Sequence, residues 1–449
     1  MTVNSTNHGG RWLVRRPLLV IALSAGIAAL TAAGTATRPI GTARVHDHLS
    51  SPDAVALRLL GAPSAAARTK PETPADRAIQ FETLLGHHSI LAADMMRARL
   101  RADPDFAQAA DAALSKNTAA LSGLVEVLAG DKAEYQFGYL WKTHIQALFN
   151  YARGLADHDT AVREAARKSL LDYEGRLASF FAGLSHGRLD PVTARAAVTM
   201  HVDHLLRQAD AYAQHDYVTA GALYRQSYDH TFGLGKAIAS AVLTPAQAAT
   251  LAAPDWTLRS ELARLLGEHV ALAVGAMRSG YAHWPDFTAV AGSLNANTLD
   301  LTGAIDGIFG APAAHAFQPL WADHVDQLIR YTAAVAGHND GQRRAAVARL
   351  GEFEQQFAAF LDGATAHRLA ASAMARGMAM HDQMLMRQID AFAAKKYPQA
   401  HEIAYTTYTD AGGYSGVLGA AFAATTMARA PRGGIQTGYG GMATLVERR

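Results

Sequence analysis

The sequence predicts an all-α fold: a tandem duplication of an up-and-down helical bundle, with about six helices in each copy. Three observations lead there. Apolar residues recur at three- and four-residue spacing in long segments. Alanine and leucine are abundant, and no stretch sustains the alternation with β-branched residues that a strand requires. A set of short motifs also returns about 180 residues downstream of its first occurrence. With 50% hydrophobic and 18% charged residues over 449 positions, the chain has the composition of a protein with a large core, not of a disordered or collagen-like one.

Residues 1–36 read as a signal peptide. Arg11, Arg15 and Arg16 form a basic start, and the uncharged run from Pro17 to Thr37 ends in small residues, with cleavage expected after Ala36. The Arg15–Arg16 pair resembles a twin-arginine signal, a pair that Sec signals also carry, and an uncleaved anchor is the alternative, the one route by which the chain would meet a membrane. The chain is therefore expected to be exported, to the cell envelope or the extracellular space. Its 41 basic residues include those three arginines; without them the balance against 39 acidic residues is nearly even, and no basic field for nucleic acid remains. Residues 37–76 are rich in Ala, Pro, Ser and Thr and read as a flexible leader, and 428–449 as a disordered tail.

Between them, residues 77–244 form the first copy and 255–427 the second. The first copy divides into helices over 77–103, 105–129, 133–156, 159–186, 190–215 and 217–243, with Asp190-Pro191 and Thr244-Pro245 as capping signals. Leu84-Leu85-Gly86-His87-His88 returns as Leu265-Leu266-Gly267-Glu268-His269. Asn117-Thr118 returns as Asn297-Thr298, Leu140-Trp141-Lys142-Thr143-His144 as Leu320-Trp321-Ala322-Asp323-His324, and Met200-His201 with Arg207-Gln208 as Met380-His381 with Arg387-Gln388.

Polar residues fall on the apolar faces of these helices. His88 shares a stripe with Leu84, Leu91 and Met95; His144 with Phe137, Trp141, Leu148 and Tyr151; His201 with Val198, Leu205 and Gln208. His269, His324 and His381 repeat the arrangement. All lie near the middle of their helices, and in a bundle of equal-length antiparallel rods the midpoints meet at one level. The expected layer also takes in His230, its counterpart Asp410, Asn117 and, by position, Glu174 and Glu354.

Neutral imidazoles facing one centre suit copper, zinc or iron, or ligate a haem axially. Met374, Met378 and His381 share a face of one helix, as do Met380 and Met384, and thioethers suit Cu(I). The competing reading is a satisfied polar network that only sets helix register in an envelope scaffold or interaction protein. Other chemistries are poorly served. Cysteine is absent, which removes disulfides and thiolate sites. No Glu precedes a His by three positions, as di-iron bundles require, and no His-Glu-x-x-His or Gly-x-Ser-x-Gly motif occurs. No catalytic residue is expected. His46-Asp47-His48 offers a weak metal site within the leader.

The recurring motifs, LLG followed by His or Glu and His, Asn-Thr, Leu-Trp-x-x-His and Met-His, make residues 77–427 resemble a group of exported bacterial helical proteins with tandem domains. The resemblance implies export and a helical fold, and it implies no catalytic residues.

Overall fold

The structure, a computed structural model, describes residues 73–429, and all described residues lie in one compact unit. The signal, most of the leader with His46-Asp47-His48, and the tail from 430 lie outside the described residues. The fold is all-α, without strands among the described residues.

The N-terminal half contains α1 Pro74–Leu100, α2 Pro104–Ala129, α3 Asp131–Ala156, α4 Thr160–Leu184, α5 Pro191–Ala213 and α6 Tyr217–Val242. A short α7, Pro245–Ala249, and a 3-10 turn lead to α8 Pro254–Ala282, α9 Phe287–Phe309, α10 Ala311–Ala336, α11 Asp340–Ala364, α12 Ala371–Ala393 and α13 Tyr397–Arg429. Two expected boundaries move. Helix α1 begins at Pro74, inside the segment read as leader, because Thr73 and Asp76 close a reciprocal capping box. Helix α13 runs to Arg429, past the expected start of the tail.

Starts and stops follow local chemistry. The carboxylates of Asp103, Asp159, Asp190 and Asp216 each accept the backbone N–H three residues on, filling a donor the helix itself leaves unpaired. Chain reversals between helices place one or two residues at positive φ, and His158, His186, His215, His283, His338 and His367 occupy such corners with φ between 51° and 62°. Histidine tolerates that conformation better than most residues, which gives these six a structural role.

Each helix packs on the next, and the sixth returns to the first: α1 lies along α6, and α8 along α13. Within each ring the odd-numbered positions also touch across the interior, α1 with α3 and α5, and α8 with α10 and α12. Glycine sets the closest approach. A Cβ at Gly235 on α6 would lie 2.6 Å from the Cα of Glu82 on α1.

One apolar core runs through both halves, with a smaller cluster in the C-terminal half. At their junction the hydroxyls of Tyr228 and Tyr408 lie 3.2 Å apart, and each also donates to the first helix of a half: Tyr228 to Arg264 O, Tyr408 to Thr83 O. The same contacts recur in both halves. Arg97 donates to Gln208 and to Ala220 O, and Arg278 donates to Gln388 and to Ala400 O.

Candidate metal centres

The apolar stripes that drive each helix into its ring carry histidine with them. On α3, Phe137, Trp141, Leu148 and Tyr151 are all buried, so His144 on the same ridge is buried too. His88 comes from α1 and His201 from α5, the helices that face α3 across the interior. The three are 0%, 0% and 2% exposed, and one ring nitrogen from each lies within 4.8 Å of the other two. His269 on α8, His324 on α10 and His381 on α12 meet the same condition, and their ring centroids form a nearly equilateral triangle of 5.6, 5.7 and 5.9 Å. Aromatic rings hold the imidazoles in place: Tyr173 stacks on His144 at 4.4 Å and Phe353 on His324 at 4.6 Å.

The hydrogen bonds define what the N-terminal triad offers. His88 Nε2 and His144 Nε2 are 3.1 Å apart. The Thr231 hydroxyl donates its single hydrogen to Ser227 O at 2.6 Å, so toward His201 Nδ1, 3.1 Å away, it acts as an acceptor. His201 therefore carries its proton on Nδ1 and presents a bare lone pair at Nε2, which is buried and without a hydrogen-bond partner. Two nitrogens bound to one zinc at 2.0–2.1 Å and the tetrahedral angle are separated by about 3.4 Å, close to the His88–His144 spacing. Burial keeps all six imidazoles neutral. It pulls His144 and His269 down to about 3 and His381 to about 4, and it holds His88, His201 and His324 well below the ordinary value with help from neighbouring imidazoles. Neutral imidazole is the form that ligates metal.

Two residues expected in the layer stand outside it. His230 lies beside His204, with ring centroids 5.6 Å apart, and its Nε2 donates to Ala197 O at 2.8 Å. Asp410 is only partly buried, and burial pushes its carboxyl up to about 6. The reason is the helix period: the sixth helix turns the next residue, Thr231 or Ala411, toward the interior, and one step of about 100° carries His230 and Asp410 away. Asn117 donates to Leu84 O, Asn297 donates to Leu265 O and to the Glu268 carboxylate, and Glu174 accepts from the Thr199 hydroxyl at 2.6 Å.

The C-terminal centre carries a group that the sequence reading missed. Asp382 is fully buried, with its Oδ1 3.2 Å from His324 Nδ1. Burial, together with the neighbouring Glu354 carboxyl, drives it well above the usual carboxylate range. Val202 occupies the matching place in the N-terminal half, so an acid aligned with a buried valine was the available signal. Thr231 was missed as well, because nothing about a helical threonine marks it as a partner for histidine.

A cavity adjoins each triad. One of about 80 Å³ is lined by Trp141, Ala194, Val198 and His201; the other, of about 70 Å³, by Trp321, Met374, Met378, His269 and His381. Each has room for water or a small ligand. Neither has room for a porphyrin, and three imidazoles converging on a point leave no plane for one, so the haem expectation does not fit. Met374, Met378 and His381 do share one wall, as their helical spacing predicts.

No family model, curated protein or solved structure matches this chain. The geometry alone therefore carries the functional reading. Among the described residues, no helix is long and apolar enough to cross a membrane.

Proposed function

We propose that the chain is an exported metal-binding protein that holds one first-row transition-metal ion in each half, through His88, His144 and His201 and through His269, His324 and His381. One observation carries the reading: three neutral imidazoles from three helices, all buried but for the half-buried His381, bring ligand nitrogens within 4.8 Å of one another, and they do so twice. Buried polar atoms are normally paired, because an unpaired one costs about 1–3 kcal/mol. The bare Nε2 of His201 has no such partner, nor has Nε2 of His381, and a cation would supply one. Nitrogen-only donor sets suit zinc and copper; non-haem iron sites of this size ordinarily include a carboxylate ligand. Three protein ligands beside a small cavity leave a fourth position for water or a small molecule.

The test is metal content. Protein prepared without a histidine tag and loaded separately with Zn, Cu or Fe is expected to retain two ions per chain. His144→Ala and His324→Ala should each retain one, and the double variant none. Failure to retain any of these metals, or retention that ignores both substitutions, would refute the proposal. The 3.1 Å contact between His88 and His144 favours a second reading, in which the imidazoles bond to one another and only set helix register in a scaffold. On that reading, apolar replacements of similar volume leave partner capture intact and no metal is retained.

A further inference from the structure

The two triads differ in charge, and the difference lies one layer behind the ligands. Around the N-terminal centre, no hydrogen bond or ion pair among the described residues joins a carboxylate to His88, His144 or His201. A dication there would sit among neutral groups, in a core where uncompensated charge is costly. Around the C-terminal centre, Asp382 stands directly behind a ligand, its Oδ1 3.2 Å from His324 Nδ1 and its side chain 0% exposed. It follows His381 on α12, so the helix that supplies one imidazole also supplies the carboxylate behind another. The matching residue, Val202, is buried and apolar. It forms no ion pair with Arg or Lys among the described residues; its acidic neighbour is Glu354, whose carboxyl hydrogen-bonds to it, so the two carboxyls share a proton.

Resting on the reading of the triads as metal centres, we propose that Asp382 is a positioning and charge-compensating residue, which makes the C-terminal triad the tighter of two unequal sites for a divalent cation. With metal on His324 Nε2, the proton must sit on Nδ1. With the shared proton on Glu354, Asp382 accepts the hydrogen bond of His324 Nδ1, orients the ring and cancels one unit of the ion's charge. Outer groups of this kind typically change metal affinity by about 10–100-fold. In the N-terminal triad the neutral hydroxyl of Thr231 stands behind His201 and the backbone of Trp141 behind His144, and neither offsets charge.

The experiment isolates each centre. His144→Ala leaves the C-terminal centre intact and His324→Ala the N-terminal one, and each is titrated with Zn²⁺ against a competing chelator. The C-terminal centre is expected to bind about 10–100-fold more tightly. Adding Asp382→Val to the His144→Ala chain copies Val202 and should erase most of that difference. Asp382→Asn, which keeps an acceptor but no charge, should fall between. The absorption bands of Co²⁺ at this centre should shift in both variants, a readout that a purely structural role would not move. Metal-free Asp382→Val should melt no lower than its parent, because it removes a buried acid. Equal affinities in the two isolated centres, or no change with Asp382→Val, would overturn the role of Asp382 and leave the triads as metal sites. Absence of zinc from both centres would overturn the triad reading along with it.

Discussion

Replacing Gly235 by alanine should destabilise the protein, whereas the same change at Gly233, two residues earlier on the same helix, should stabilise it. A Cβ at Gly235 would sit 2.6 Å from Glu82 Cα, 2.7 Å from Glu82 N and 2.8 Å from Phe81 O, all backbone atoms of α1. Carbon contacts are comfortable at about 3.5–4.0 Å, so α1 and α6 must part by roughly 1 Å. Overpacking of this kind costs about 1–3 kcal/mol, and the helix-propensity gain of about 1 kcal/mol offsets only part of it. Gly233 is exposed, and a Cβ there meets nothing within 4 Å, so only the gain remains. Urea unfolding should therefore separate the two variants by about 1–3 kcal/mol with opposite signs about the parent. The consequence reaches the site, because α1 carries His88 and α6 carries Thr231, the partner of His201. Gly235→Ala should loosen metal at the N-terminal centre and leave the C-terminal one unchanged. A Gly235→Ala protein as stable as Gly233→Ala would show that the two helices are not in contact there.

Three further outcomes follow from the same geometry. Glu82 is buried against Ser260 with its carboxyl pushed up to about 7, above its unfolded value, so its contribution is fully present below about pH 4.5 and is lost as pH rises through 7. Glu82→Gln should remove that loss, gaining up to about 3 kcal/mol over the parent at pH 8 relative to pH 4.5, and parallel stability–pH curves would contradict the assignment. His87, stacked on Tyr408 at 4.0 Å, is held by burial at about 3, below its unfolded value near 6.5; the unfolded chain takes up a proton first, and stability falls as pH drops below 6.5. His87→Phe should spare about 2 kcal/mol of that loss between pH 7.5 and 5, measured by urea unfolding, and an unchanged acid sensitivity would place His87 in water. Thr231→Val removes the acceptor that fixes the His201 tautomer, and in the His324→Ala chain it should weaken Zn²⁺ binding by about 10–100-fold, whereas unaltered affinity would show that the hydroxyl plays no part.

The helices and the inward histidines were legible in sequence because both depend on local periodicity. A residue on an apolar stripe is buried when the stripe is buried, and residues near helix midpoints meet at one level. His230 and Asp410 were misplaced because depth along a helix says nothing about azimuth; one residue separates them from the inward positions 231 and 411. Asp382 and Thr231 were invisible because their roles depend on contacts with other helices.

The amino-acid sequence by itself determined an all-α chain, the approximate limits of its helices, and the inward direction of the six triad histidines, since hydrophobic period and capping chemistry act over a few residues; the burial of His87 and His401 it did not show. Only the tertiary structure decided which imidazoles share a centre, which nitrogen of His201 is free, and that a buried carboxylate stands behind one triad and not the other. Those outcomes depend on the azimuth and spacing of helices distant in sequence. Packing sets both, through backbone contacts such as the one at Gly235, where the missing Cβ lets two helices close.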